Sequence, residues 1–215
     1  MKREEKRNLI MEKILSTSAE LMFTQGYKKT TTRQIIEKAG IRYGTLYHFF
    51  RDKEDIFLHN AIKIYRDIIQ LAGELTVKQK DPISKYALTR GLELKAIETY
   101  EKLAELYLEA YSSWRITQAM LPMNIKMYKD YFHKYCSDFT DQDYHDRVLA
   151  MRGMRLNFIS EFVHTGHRIY ESKFNLIMGT TLSLFNIPES KIKNAINFAG
   201  TTLREKSITM YGFKL

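Results

Sequence analysis

Apolar residues recur at helical spacing along most of the chain. Near the start, Ile10, Ile14 and Leu21 fall on one face of a helix whose other face carries Lys and Glu. This pattern predicts a first helix over about 4–23, ended by Gly26. Shorter apolar stripes follow, and only three prolines and ten glycines interrupt the chain, so it is predicted to be all-helical.

The stretch KAGIRYGTLYHFF, residues 38–50, predicts a tight turn between two short helices. Ile35 and Ala39 form the apolar stripe of the helix before the turn, and Leu46 lies on the stripe of the helix after it. Gly40 stands where a left-handed residue commonly ends a helix. One long helix followed by two short ones is the outline of a helix-turn-helix, although other three-helix units share this outline.

A second, larger helical domain is predicted beyond residue 52. Pro82 begins a helical segment that extends to about residue 118, and Pro122 begins another. Three further helices are predicted over 140–166, 171–186 and 189–209. The predicted fold class is all-α, with an N-terminal three-helix helix-turn-helix domain over 1–52 and a larger α-helical domain over 53–215.

The formal net charge of +9 lies mostly near the start of the chain. Residues 1–51 hold eleven Lys and Arg against five Glu, which favours an anionic partner such as nucleic acid, although lysines are also common on helical surfaces. The single cysteine, Cys136, excludes a disulfide framework. The most apolar stretch, 174–187, is too short to span a bilayer, so we expect a soluble, cytoplasmic protein with no membrane partner.

Residues 30–57, TTTRQIIEKAGIRYGTLYHFFRDKEDIF, resemble the helix-turn-helix signature of the tetracycline-repressor-like (TetR) family of bacterial transcription regulators. The threonines before the second helix, the "AG" of the turn and "GTLY" at the start of the third helix carry this resemblance. Upstream, ILSTSAELMFTQGY is similar to the first helix of that family. The resemblance covers about the first 60 residues and implies a DNA-binding homodimer.

In that family the third helix enters the major groove of double-stranded DNA. The residues of this chain expected at the DNA are Thr31, Arg33, Arg42, Tyr43, Gly44, Thr45, Tyr47, His48 and Lys53. Side-chain chemistry agrees, because arginine can bond guanine in a bidentate fork and hydroxyl groups can bond phosphate. Arg42 departs from the small, helix-capping residue usual in the family, and Ile36 stands where the family usually has alanine.

The resemblance also implies that the last two helices pair with their copies across a two-fold axis, which suits a palindromic operator. The expected interface residues are Phe174, Ile177, Met178, Leu182, Ile196, Ala199, Gly200 and Leu203, although their stripes could instead cover the protomer's own core. The aromatic and Met-rich segments within 100–162 suit a pocket for an apolar or aromatic effector, although such stripes are often simply core. The candidate ligand contacts are Tyr107, Tyr111, Trp114, Met127, Tyr128, Met154 and Phe158.

The sequence carries none of the common catalytic motifs, such as GxGxxG, HExxH or GxSxG. His164 and His167 could share a helix face, but no carboxylate is placed to complete a metal site. We therefore expect no metal, no cofactor and no enzymatic activity. The favoured function is a ligand-responsive repressor that an unknown small-molecule effector releases from DNA; an effector-independent architectural DNA-binding protein and a helical enzyme or carrier are the alternatives.

Overall fold

The computed structural model describes residues 3–77, 81–206, 208–210 and 213–214, and their architecture is helical. These residues form ten α-helices, a 3₁₀ turn at His133–Tyr135 and two antiparallel strands of two residues each. The helices are α1 Arg3–Gln25, α2 Thr32–Ala39, α3 Tyr43–Phe49, α4 Lys53–Leu75, α5 Pro82–Thr99, α6 Glu101–Ser112, α7 Trp114–Phe132, α8 Asp141–Thr165, α9 Ile169–Ser183 and α10 Glu189–Glu205. The strands are β1 Thr209–Met210 and β2 Phe213–Lys214.

The all-α prediction is confirmed. Within the described ranges, no helix is long and apolar enough to cross a membrane. The chain divides into two compact units, the first ending at Tyr65 and the second beginning at Arg66. The first unit thus extends into α4, past the predicted boundary at residue 52, because Ile56 of α4 belongs to its core.

The core of the first unit is a single small cluster. Its buried members are Ile14 of α1, Ile35 of α2, Leu46 of α3, and Phe50 and Ile56, which lie before and within α4. These side chains are almost fully removed from water, so the hydrophobic effect fixes α2, α3 and the start of α4 against α1. Ile35 and Leu46, from the apolar stripes predicted on either side of the turn, thus meet Ile14 of the first helix in one core.

Both ends of α2 are fixed by hydrogen bonds that its sequence supplies. The Thr31 hydroxyl accepts a hydrogen bond from the Gln34 amide at 3.2 Å, and the Gln34 side chain accepts one from the Thr31 amide at 2.9 Å. This reciprocal capping box satisfies donors at the helix start. At the other end, Gly40 has φ +58° and its amide donates to the Glu37 carbonyl, as expected for a left-handed cap.

The predicted helix over 82–118 is wrong, because the chain breaks it at two residues with extended backbone. Tyr100 separates α5 from α6, and Ser113 separates α6 from α7. The Ser113 side chain accepts a hydrogen bond from the Ile116 amide at 3.1 Å and so caps α7. Pro122 was expected to begin a helix and instead lies inside α7, where its ring removes one backbone donor.

An aromatic cluster occupies the core of the second unit. The Tyr128 ring stacks on Phe185 with centroids 5.0 Å apart and planes 5° apart, and Phe132 also contacts Phe185. The hydroxyls of Tyr86 and Tyr128 are 3.0 Å apart and share a hydrogen bond, which satisfies two buried phenols. Next to this cluster, α8 has the predicted bounds, with Thr140 as its N-cap and the left-handed Gly166 as its C-cap.

Replacing Gly40 by alanine is expected to lower the free energy of unfolding by about 1–2 kcal/mol, because a Cβ is strained at φ +58°. Denaturant unfolding followed by circular dichroism measures this change. The control is Gly44→Ala, at an ordinary helical position, where stability should stay the same or rise by up to about 1 kcal/mol. Equal losses in the two variants would contradict the explanation.

Candidate nucleic-acid interface

Tyr43 and Tyr47 lie one turn apart on the exposed face of α3. Tyr43 is 68% exposed and Tyr47 is 39% exposed, and their ring centroids are 4.6 Å apart. The Tyr47 hydroxyl donates to Thr32 Oγ1 of α2 at 3.3 Å, which links the two short helices on their outer side. Leu46, on the inward side of α3, is fully buried. The short helix is therefore held from inside and presents aromatic hydroxyl groups to solvent.

Gly44 lies between these tyrosines, in the first turn of α3. A Cβ built on this residue meets no heavy atom within 4 Å in the part of the chain that the structure describes. Packing inside the protein therefore does not require glycine here, and neither does the backbone, since Gly44 is not among the residues with positive φ. The absence of a side chain leaves the α3 backbone accessible to an external partner.

Arg42 is the N-cap residue of α3 and its side chain is exposed. Its side chain makes no capping hydrogen bond to α3 within the described residues, as expected where arginine stands in place of the family's small capping residue. On α2, Thr31 uses its hydroxyl in the capping box, and the exposed Arg33 pairs with Glu37 at 2.8 Å. The cationic groups of Arg33 and Arg42 thus both precede the tyrosines in sequence: Arg33 pairs with a carboxylate, whereas Arg42 is exposed at the turn.

The remaining candidates differ in their exposure. His48 is exposed and Thr45 is half-buried on α3. The Lys53 ammonium, at the start of α4, donates to the Tyr27 carbonyl at 2.9 Å and lies 4.1 Å from the centre of the Tyr27 ring. Lys53 therefore holds the loop after α1 against α4, a structural role that the sequence did not predict.

Comparison with known proteins identifies the family. The sequence profile described as "Bacterial regulatory proteins, tetR family" matches residues 14–59, which contain all of α2 and α3. The HTH-type transcriptional regulator QacR of Staphylococcus aureus (strain Mu50) is 30% identical over 128 residues, covering 58% of this chain and 67% of that protein. The chain belongs to the tetR family of bacterial regulatory proteins. It is accordingly a DNA-binding transcriptional regulator and not an enzyme.

Other relatives agree with this assignment. The uncharacterised HTH-type transcriptional regulator YxaF of Bacillus subtilis (strain 168) is 32% identical over 78 residues, covering 36% of this chain and 41% of that protein. A TetR-family structure from Syntrophomonas wolfei has a TM-score of 0.59 at 21% identity, over 85% of this chain and 96% of that chain. RolR, in complex with resorcinol, has a TM-score of 0.62 at 14% identity, over 92% and 96% of the two chains. At such identities the solved structures establish the fold.

The candidate ligand residues in the second unit do not share one environment. Tyr128 is fully buried, and Met127 nearly so. Tyr107 and Tyr111 stack along α6 with centroids 6.1 Å apart, whereas Trp114, at the start of α7, is 70% exposed. On α8, Met154 and Phe158 are half-buried. The structure thus brings the tyrosines towards the interior and leaves Trp114 at the surface.

Four charged residues that the sequence did not single out are buried in this unit. Arg90 and Glu93 lie on α5, and Arg152 and Arg155 lie on α8. The sequence does carry a signal for the burial of Arg152 and Arg155. They share helical spacing with Val148 and Ile159, and all four residues are buried. Charged residues on an apolar stripe usually mark a paired or functional group.

The expected dimer residues are mostly buried inside the protomer. Helices α5, α9 and α10 pack on one another, and six side chains are at most 5% exposed: Phe174, Ile177, Met178, Leu182, Ala199 and Leu203. Ile196 and Gly200 alone of the predicted set are half-exposed. The structure revises the expected interface, since side chains with so little surface pack within their own protomer and leave a partner helix little to contact.

The residues considered for metal binding have other contacts. His164 Nδ1 lies 2.7 Å from the Ser160 carbonyl, and His167 lies 3.5 Å from Glu161. The described residues contain no group of three or more His, Cys, Asp and Glu that could hold a metal ion. The buried Cys136 thiol donates to the Phe185 carbonyl at 3.0 Å, and burial raises the pKa of this thiol to about 11.

Arg42→Ala is expected to relax sequence preference without unfolding the first unit, because the side chain is exposed and does not cap α3. A lost bidentate base contact removes about 1–3 kcal/mol of discrimination between a preferred duplex and one substituted at the contacted base. Fluorescence anisotropy at one fixed salt concentration measures both affinities. The control is Lys38→Ala, which removes an exposed positive charge of α2 that pairs with Glu20. Unchanged discrimination in the Arg42 variant would exclude a base contact.

Proposed function

We propose that this protein is a ligand-responsive transcriptional repressor of the bacterial cytoplasm. It binds a palindromic operator as a homodimer through α3 and leaves the operator when a small effector binds the second unit. The observation that supports this proposal best is the outer face of α3, where Tyr43, Gly44 and Tyr47 are exposed within a tetR-family helix-turn-helix.

The outer face of α3 has the chemistry of a duplex-binding surface. Tyrosine and threonine hydroxyls suit phosphate oxygens, while the exposed Arg42 can reach base edges in the major groove. The excess of basic residues in 1–51 would draw the first unit to DNA of any sequence. Gly44, which the protein itself does not require, would let the α3 backbone come close to the duplex.

Dimerisation would use the outer faces of α9 and α10. On α9, Leu176 is 55% exposed and lies beside Gly179 and Thr180. On α10, Asn197 is exposed and Gly200, three residues later, is half-exposed, so both lie on the outer face of this helix. Small residues next to an exposed leucine allow two helices to approach closely, and a dimer is what two half-sites one DNA turn apart require.

Effector binding is supported by the fold. The RolR chain, whose fold covers most of this one, was crystallised with resorcinol. In this protein the helices α5 to α8 enclose an aromatic interior that contains Tyr86, Tyr111 and Tyr128. An effector that bound one conformation of the second unit better than another would change operator affinity by that difference.

Selection of binding sites from a pool of random duplexes tests the operator hypothesis. The expected result is an enriched inverted repeat with half-sites about one helical turn apart and a steep loss of affinity with salt. An enriched single half-site, or no enrichment, would contradict binding as a symmetric dimer. Weak preference for all duplexes would indicate an architectural DNA-binding protein.

Gly179→Leu is expected to convert the dimer to a monomer and to weaken operator binding. A Cβ at Gly179 meets no heavy atom within 4 Å among the described residues, so the protomer can accommodate the new side chain. A partner helix packed closely against this position could not. Size-exclusion chromatography with light scattering measures the mass.

Gly153→Leu is the matched control, because Gly153 lies on α8 and a Cβ there likewise meets no described heavy atom within 4 Å. This variant should retain the mass and the operator affinity of the parent protein. A Gly179 variant that stays dimeric would place the interface elsewhere.

A further inference from the structure

The interior of the second unit holds more positive than negative charge. Arg90, Arg152 and Arg155 are at most 8% exposed, and Glu93 is the one acidic residue among the described buried residues of this unit. Glu93 is already engaged, since its Oε2 accepts a hydrogen bond from Arg90 Nη1 at 2.6 Å. The same oxygen lies 3.6 Å from Arg155 Nη1, beyond the usual length of a hydrogen bond.

Arg155 is the least satisfied of these side chains. It is 4% exposed, and neither its Nε nor its Nη1 has a hydrogen-bond acceptor within the described part of the chain. Arg152, one turn earlier on α8, donates from Nη2 to Thr117 Oγ1 at 2.6 Å and to the Tyr111 carbonyl at 3.2 Å. Those acceptors are neutral, so they satisfy donors without balancing the charge.

The neighbouring tyrosines do not supply the missing negative charge. Burial raises the pKa of both Tyr86 and Tyr111, so both phenols are neutral near pH 7. The other carboxylate of α5 with a buried side chain, Glu98, accepts hydrogen bonds from Arg168 and from the Tyr170 amide. The excess positive charge around Arg155 therefore has no partner within these groups.

The surroundings of the arginines are aromatic. The guanidinium carbon of Arg152 lies 4.4 Å from the centre of the Tyr111 ring, and that of Arg155 lies 5.6 Å from it. Arg90 lies 5.7 Å from the Tyr86 ring, which adjoins Tyr128. A ligand bound here would meet guanidinium groups at one point and aromatic faces around it.

We infer that the second unit binds the carboxylate group of a small, apolar or aromatic acid, with Arg155 as its main ligand and Arg152 beside it. A planar guanidinium pairs with a carboxylate through two parallel hydrogen bonds, which would satisfy donors that Arg155 leaves unused. Phosphate fits less well, because it carries more charge and hydration than an aromatic interior can replace. This inference rests on the proposed function in placing the effector in the second unit, and it specifies the effector's chemical class.

Thermal unfolding of the full chain without DNA tests the inference. The probes are benzoate, salicylate and octanoate, each with its neutral amide, and inorganic phosphate. At roughly a hundredfold excess over Kd, at least one carboxylate should raise the unfolding temperature by about 5 °C or more, and its amide should not. Equal shifts from acid and amide, a shift from phosphate alone, or no shift from any acid would overturn the inference.

Arg155→Met locates the site. Because Glu93 keeps its partner Arg90, this variant should be at least as stable as the parent without ligand, and it should lose the carboxylate-dependent shift. Arg155→Lys keeps the positive charge but not the planar guanidinium that forms two parallel hydrogen bonds, so it should reduce the rise in unfolding temperature. This variant gives a second test if the methionine variant does not fold. A full shift in either variant would overturn the assignment to Arg155.

Arg147→Met is the matched control on the same helix. Arg147 donates to the Leu184 carbonyl at 2.8 Å and to the Asp143 carbonyl at 3.0 Å, so its loss should lower stability and leave the carboxylate shift intact. The loss of the shift in this variant as well would show that the response is not specific to Arg155, and would overturn the inference.

The operator-binding assay separates this inference from the proposed function. Carboxylate binding without release of DNA would support the site and contradict effector control of DNA binding. Release of DNA by neutral aromatic compounds, with no effect of any acid, would support effector control and overturn the carboxylate site.

Discussion

A helix of seven residues does not keep its shape in water through its own hydrogen bonds, so α3 depends on the burial of Leu46. This side chain is fully buried with Ile14 and Ile35. The outer residues of α3 are consequently not needed to fill the core, although Tyr47 also bonds Thr32. Tyr43, Gly44 and Tyr47 can be chosen for what they contact outside the protein, because Leu46 and the phenylalanines that follow it hold the helix against the core.

The first unit was largely predictable because its determinants are local. The left-handed end of α2 favours glycine, which the sequence supplies as Gly40, and Thr31 and Gln34 form a cap within one helical turn. The apolar positions fall at helical spacing. Lys53 was assigned only to DNA, since its bond to the Tyr27 carbonyl joins residues far apart in sequence. The same limit explains the burial of Phe174 and its neighbours: periodicity identifies an apolar face but not which helix covers it.

The second unit was predicted less well, because its breaks carry weak signals. Tyr100 separates two helices without glycine or proline, and Pro122, the stronger signal, lies inside a helix. Gly91 has a tertiary reason that no local rule supplies, since a Cβ there would lie 2.6 Å from Leu203 of α10. The buried arginines are a further case: their spacing is visible in the sequence, but their shortage of acidic partners emerges only when α5 packs near α8.

The contact between the Tyr43 and Tyr47 rings, whose planes are tilted by 40°, has a consequence for the entropy of association. Each ring limits the rotamers of the other, and the Tyr47 hydroxyl is further held by Thr32. Two side chains that are already ordered lose less conformational freedom on meeting a surface than two that move independently. The contact between these tyrosines therefore favours tight complexes in which the rings keep their present arrangement, and disfavours partners that would require the rings to separate.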